Sequence, residues 1–527
     1  MTTLSSPTEK LARRIKASVM AKEKSGAKIH VDYIASRVAS FYEKIRKLLE
    51  YQEEHLFRKN AIDRSLKRRL LFREGGSKDM TRPLILELIR AGYLPNDTIS
   101  EEQVEKVKLI IDKYVLLIDY IKDLQLESPK EESVINWLIS LASCEIEEKL
   151  APATKDTALA EHMYETLRTK IVLDNINLPE EEKNTQLFIA IQRALLRADN
   201  ALINYRLLKW HFPQWENSTD ILFFKEIATR LLPLKEALSG EINHPIQAKF
   251  FQVCNKYNTP FLILGDTLVN DPDLLEKEPD EIEGSIEEAY KQRLQKSKTK
   301  TKRAAIYATL SIFATKVLFA LLIEVPFDLY ITNHLVVTTL AINIAFPPFL
   351  MFLIVASIRP PGSSNTQKVV METIKTIYQT DNEEKIVISP TAQRSLFTII
   401  FVNFFYGLTS LVVFSLIVWV LLKINFSIPS IIIFLVFLSL ICFAGLKIRQ
   451  RSKELNMEKT KENFLVFLID VVALPLVSVG KWLSGQWARF NILIVIFNFI
   501  LEVPFQIFLD FIESWRHFIK EKKEEIQ

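Results

Sequence analysis

Three charged side chains stand where charge is expensive. Lys316, Asp470 and Glu502 each fall inside a long apolar run of a 527-residue chain. A charge at the centre of a membrane helix costs ~2.5–3.5 kcal/mol on insertion scales, so each needs a partner or a task. At 1.5 Å per residue, Lys316 lies ~18 Å, Glu502 ~11 Å and Asp470 ~9 Å from the basic end of its run. The three can meet if the first, fifth and sixth runs are neighbours. Two chemistries fit such a cluster: an ion or proton pathway, and a neutralising pair that fixes helix packing. A water-accessible cavity around the charges favours the first, and a dry packed pair favours the second. Glu324 and Asp328, near the far end of the first run, are expected to reach water.

A second candidate comes from an internal echo. VLFALLIEVPF at 317–327 aligns with VIFNFILEVPF at 495–505. Pro326 and Pro504 would each free a backbone carbonyl one turn back and bend the helix. Next to Glu324 such a kink is either a polar pocket or a plain bend. The two copies would run antiparallel, as in inverted-repeat transporters. No further apolar run follows the second copy, so a whole-bundle repeat is not supported.

Arg58, Lys59, Arg64, Lys67, Arg68, Arg69 and Arg73 form the third candidate, with Ile62, Leu66 and Leu70 on one face between them. A basic amphipathic helix of this kind lies on anionic lipid headgroups, or is a plain solvated face. Nucleic acid is a poor match, because neither aromatic interleaving nor a fold motif accompanies the charges. Leu11, Ile15 and Val19 with Arg13, Arg14 and Lys16 make a shorter basic amphipathic helix, suited to a membrane surface or an organellar targeting stretch. Val369, Val370, Ile374 and Ile377 suggest another surface-lying segment.

Other chemistry is weak. Glu161, His162 and Glu165 read as an ionic cluster rather than a metal site. Cys144, Cys254 and Cys442 are too scattered for a disulfide framework and read as buried thiols. No Walker, Rossmann, zincin or nucleophile-elbow motif is present, and 12 Gly leave few phosphate-cradling loops. No enzyme, cofactor or metal is therefore expected.

The elements that must position these residues are helices. The chain is 49% hydrophobic with a net charge of +4 and a mean hydropathy of +0.12. That average joins two unlike halves. Residues 1–290 are polar and periodic, and read as an all-α cytosolic bundle. Val31, Ile34, Val38, Phe41, Ile45 and Leu48 form one stripe; Val104, Val107, Ile111, Tyr114, Ile118 and Ile121 form another, opened by a Ser100–Gln103 capping box. Residues 291–303 carry seven basic residues and no acid, and read as a linker. Residues 304–511 then contain six apolar runs: 304–327, 335–357, 396–422, 428–446, 464–480 and 491–509. Three have no charge and are long enough to cross ~30 Å of hydrocarbon. The run 464–480 is short, and Pro347-Pro348 would interrupt the second. Residues 512–527 form a charged tail.

Alternate flanks of these runs carry 22 Lys and Arg on one side against 3 on the other. The positive-inside rule then puts both termini and the bundle in the cytoplasm, with a plasma (inner) membrane location. No signal peptide is expected, since the first long apolar run begins near residue 304. Only Gly407, Gly445 and Gly480 lie in or beside the runs, which is few for a broken-helix carrier. The sequence therefore points to a multi-pass membrane scaffold or adaptor whose bundle binds a protein partner. A channel or ion-coupled transporter is the alternative.

Overall fold

Ser100 opens the best-formed helix of the N-terminal half. Its Oγ accepts the Gln103 backbone N–H, and Gln103 Oε1 accepts the Ser100 N–H at 3.0 Å, closing the expected capping box. All six residues of the 104–121 stripe are buried behind it. In this computed structural model the described residues are 4–20, 29, 54–71, 80–125, 127–216, 221–330, 337–357, 361–378, 385–389, 395–457 and 464–490, with single positions in the tail. The stripe at 31–48, Arg73, Glu502, Pro504 and the run 491–509 lie outside them.

The chain divides into two compact units. The first is Met1–Ala289 with Val370–Pro390 and Phe508–Gln527. It contains α1 (Ser6–Met20), α2 (Glu54–Leu71), α3 (Thr81–Arg90), α4 (Glu101–Asp123), α5 (Ser128–Leu150) and α6 (Thr154–Lys170). After a short strand β1 (Ile171–Leu173) come α7 (Glu180–Ala194), α8 (Asn200–His211), α9 (Ile221–Thr229), α10 (Leu231–Ile242) and α11 (Gln247–Asn270). Leu117, Leu138, Ile146, Ile203 and Leu207 are fully buried in its core. Their burial, at ~1.5–3 kcal/mol per large aliphatic side chain, is what holds α4, α5 and α8 together.

This unit also captures chain from between two apolar helices. β2 (Ile386–Ile388) pairs in parallel with β1. Tyr378 forms an antiparallel bridge with Leu4, and the Ser5 N–H donates to Ile377 O at 3.1 Å. Three-residue strands are too short to show period-two alternation, so no local pattern announces this sheet.

The second unit is Tyr290–Val369 with Thr391–Ile507. Its first helix, α12 (Pro279–Phe319), begins in the first unit and runs unbroken through 291–303. The basic segment is thus not a break in structure. Lys, Arg and Gln are good helix formers, and the segment has neither Pro nor Gly. A π-helical turn (Ala320–Glu324) and α13 (Val325–Tyr330) complete the first apolar run. Then follow α14 (Val337–Ala356), α15 (Ser363–Ile377, which ends in the first unit), α16 (Leu396–Lys423), α17 (Ile428–Ser452) and α18 (Phe464–Phe490). Pro347 and Pro348 lie inside α14, which continues through them rather than stopping. Among the described residues, four helices are long and apolar enough to cross a membrane: α12 with its continuation, α14, α16 and α17. α18 is longer than its apolar run suggested and continues past Pro475.

Two glycines let these helices approach closely. A Cβ on Gly480 of α18 would run into the Ser439 carbonyl of α17, and one on Gly445 of α17 would press on Ile354 of α14. Their role here is close packing rather than broken backbone.

Candidate functional site

The first expensive charge has a partner eight residues along its own chain. Lys316 Nζ donates to Glu324 Oε1 at 2.8 Å, with the two side chains 0% and 1% exposed. On a regular α-helix, positions eight apart lie about 80° apart around the axis. The π turn removes that offset, because one extra residue per turn is worth about 100°. Its signature bond runs from the Val325 N–H to Ala320 O, five residues back. Pro326 follows at once and has no N–H to give the preceding turn.

Two neighbouring helices complete the carboxylate's shell. Asn343 Nδ2 of α14 donates to Glu324 Oε2 at 2.5 Å, and Ser430 Oγ of α17 approaches the same oxygen at 3.4 Å. The Phe437 ring of α17 lies 5.2 Å from Lys316 Nζ. One ion pair thus ties three apolar helices to a single register. Asn343 Oδ1, on a side chain 1% exposed, has no hydrogen-bond partner among the described residues. Pro347, four residues on, also has no N–H for the Asn343 backbone carbonyl.

Glu324 is therefore buried and paired, not water-facing as its position near the helix end suggested. Lys316 and Asp470 do not pair. Asp470 of α18 accepts from Arg449 Nη1 of α17 at 2.9 Å, at a half-exposed position. Glu502 and Pro504 lie outside the described residues, so the structure brings Lys316 together with Glu324 and leaves Asp470 with a different partner.

A separate polar hub fastens the basic end of this unit. Asn365 is fully buried; its Nδ2 donates to Tyr290 Oη at 2.7 Å and to Leu455 O at 2.9 Å. Its Oδ1 accepts the Met457 N–H at 2.7 Å. Sequence reasoning missed it, since one Asn at the start of a short loop helix carries no periodic signal.

The basic cluster of α2 turns largely inward. Arg58 donates to Glu147 at 2.7 Å and Lys59 to Asp199 at 2.6 Å. Arg68 and Arg69 both reach Glu87, and Lys67 pairs with Asp63. Arg64 is half-buried. Ile62, Leu66 and Leu70 between them are core residues. The two guanidiniums beside Glu87 hold its carboxyl below the usual range against the opposing effect of burial.

The N-terminal helix is likewise docked. Leu11 and Ile15 are buried, while Lys10, Arg14 and Lys16 pair with Glu165, Glu161 and Asp273. Thr8 Oγ1 bonds His162 Nε2 at 3.0 Å, and burial drops the His162 pKa to about 4. Glu161, His162 and Glu165 therefore serve three different contacts with α1. In α15, Val369, Val370 and Ile377 are buried, so that face meets protein. All three cysteines are free, with Cys144 and Cys254 buried and Cys442 partly so. Comparison with protein-family models, curated proteins and solved structures finds no match to this chain.

Proposed function

We propose that the chain is a multi-pass membrane protein with six crossings, which holds its helical unit at the cytoplasmic face of the plasma (inner) membrane as a scaffold or adaptor. The observation that carries this reading is the closure of the intramembrane charge. Lys316 and Glu324 form a fully buried pair with neighbouring helices packed around it, the state expected of a structural fastening.

Several features support the membrane placement. Phe397, Phe401, Leu411, Leu416 and Trp419 of α16 are exposed, a surface that hydrocarbon would cover. Val370–Pro390 belongs to the first unit, so the chain leaves that unit near residue 289 and rejoins it by 370. Two crossings, by α12 with its continuation and by α14, satisfy that path. The excess of Lys and Arg in the same flanks sets the orientation. Lys296, Lys298, Lys302 and Arg303 are exposed where α12 enters its apolar run, and suit anionic headgroups better than the internally paired α2 cluster does. A reporter inserted after Asn425 should be extracytoplasmic; a cytoplasmic one overturns the topology.

A second reading, a proton- or ion-coupled transporter or channel, is favoured by one observation. Asn343 Oδ1 is a buried acceptor without a partner among the described residues, beside a charged pair and a π turn, features common where a polar group must change partners. Reconstitution into liposomes holding a pH-sensitive dye separates the two. The scaffold reading expects no proton or cation movement above protein-free vesicles, with or without a membrane potential. Flux that Glu324→Gln abolishes would replace it with the transport reading.

A further inference from the structure

The helical unit contains a second buried lysine–glutamate pair, and this one opens on a cleft. Lys113 of α4 donates from Nζ to Glu145 Oε1 of α5 at 2.5 Å and to Trp215 O at 3.3 Å. Glu145 is 2% exposed, and its other oxygen accepts Tyr114 Oη at 2.9 Å and Trp215 Nε1 at 3.0 Å. The rings of Tyr114, Trp215 and Phe224 surround the ammonium, with centroids 5.2, 4.9 and 5.4 Å from Nζ. A cleft of about 330 Å³ reaches Lys113 and Glu145; Leu109, Ile110 and Leu116 line it together with the charged Lys106, Asp112, Lys149 and Glu216.

We propose that Lys113 is a nucleophilic amine that captures a small apolar aldehyde or ketone in this cleft as a protonated imine. The site has the three parts this reaction requires: an amine, a carboxyl group in contact with it, and apolar side chains in the cleft lining, Leu109, Ile110 and Leu116, for the carbonyl compound's substituent. Glu145 takes one proton from the Lys113 ammonium, which frees the nitrogen lone pair. That lone pair forms the C–N bond to the carbonyl carbon while the C=O π electrons move to oxygen. A proton passes from nitrogen to that oxygen, giving a neutral carbinolamine. Glu145 then returns its proton to the hydroxyl group, the C–O bond breaks, water leaves and the C=N bond forms. The net change is ammonium plus carbonyl compound to iminium plus water, with no oxidant or reductant.

The surroundings suit the product at least as well as the starting lysine. Charge is +1 before and after, so the Glu145 pair and the aromatic rings keep a cation between them. An alkylammonium is a compact, strongly hydrated charge that loses much on burial. An iminium spreads its charge onto carbon and has one N–H, which Glu145 accepts. Burial also pushes the Lys113 amine below the usual lysine range, with Glu145 opposing that effect in part.

The test is reductive trapping on the full-length protein with isovaleraldehyde and sodium cyanoborohydride, read by peptide mass spectrometry. Lys130, whose side chain is 70% exposed, is the internal reference. Lys113 should be alkylated at least ~10-fold faster than Lys130, with a rate-against-pH midpoint below that of Lys130. Glu145→Gln should slow Lys113 alone by ~10²-fold. If Glu145→Gln fails to fold, Leu109→Asp, at an exposed residue of the cleft lining, should slow Lys113 labelling by isovaleraldehyde several-fold and leave Lys130 labelling unchanged. Labelling of Lys113 no faster than of Lys130, or with the same pH midpoint, overturns the proposal and leaves the pair a structural one.

Discussion

The two buried Lys–Glu pairs have the same chemistry and opposite settings. Lys113 and Glu145 come from two helices, 32 residues apart in sequence. Their carboxylate is filled by Tyr114 and Trp215, and a cleft leads to it. Lys316 and Glu324 come from one helical run and meet only because a π turn corrects their phase. The difference concerns what each pair is placed to do. A pair whose lone pairs are filled by rigid aromatic donors is held still while a ligand approaches. A pair closed among apolar helices ties those helices to one register.

The largest effect expected is on the enclosed pair. Lys316→Met leaves the Glu324 carboxylate uncompensated in an apolar setting, a loss of ~3–5 kcal/mol. Thermal unfolding in detergent should show it as a large fall in midpoint; a change within ~0.5 kcal/mol of wild type would mean that Glu324 has another source of solvation.

A third buried group sharpens the contrast, because it is buried neutral. The folded-state pKa of His162 is about 4, below the ordinary 6.5. Between those values the unfolded chain binds a proton that the folded chain refuses. The stability from neutral His162 is complete above pH 6.5 and is lost as pH falls to about 4, up to ~3 kcal/mol in all. Protection factors of amides in α1 and α6, corrected for the intrinsic slowing of exchange at lower pH, should fall between pH 7 and pH 4.5, and unchanged protection would contradict this. Glu145→Gln should be milder, ~1–3 kcal/mol by chemical denaturation, since the amide still offers an acceptor. Smallest is Asp470→Asn, below ~1 kcal/mol in the same assay, because its pair with Arg449 is half-exposed.

The sequence disclosed what repeats and hid what depends on a single residue or a distant meeting. The 104–121 stripe, its capping box and the apolar runs of α14, α16 and α17 were legible because their signal is summed over many residues. Lys316 was legible as costly, but not its partner. Helix-wheel counting assumes a constant 3.6 residues per turn, and one π turn shifts every later residue by about 100°. Glu145 is the one charge in Leu141–Ile146 and Asn343 the one amide side chain of α14, and these were the available signs. Trp215 reaches Glu145 across 70 residues, and β1 reaches β2 across more than 200, distances that no local pattern encodes. The α2 cluster misled because charge composition cannot tell a solvated face from one opposed by Glu87, Glu147 and Asp199.

If Lys316 and Glu324 act as one closed unit, the losses from changing each do not add. A double-mutant cycle in the full-length protein tests it most directly, with Lys316→Met, Glu324→Gln and the two combined, read by thermal unfolding in detergent. The double variant should be more stable than Lys316→Met alone, with a coupling of at least ~2 kcal/mol. Additive losses, leaving the double variant the least stable of the three, would contradict it.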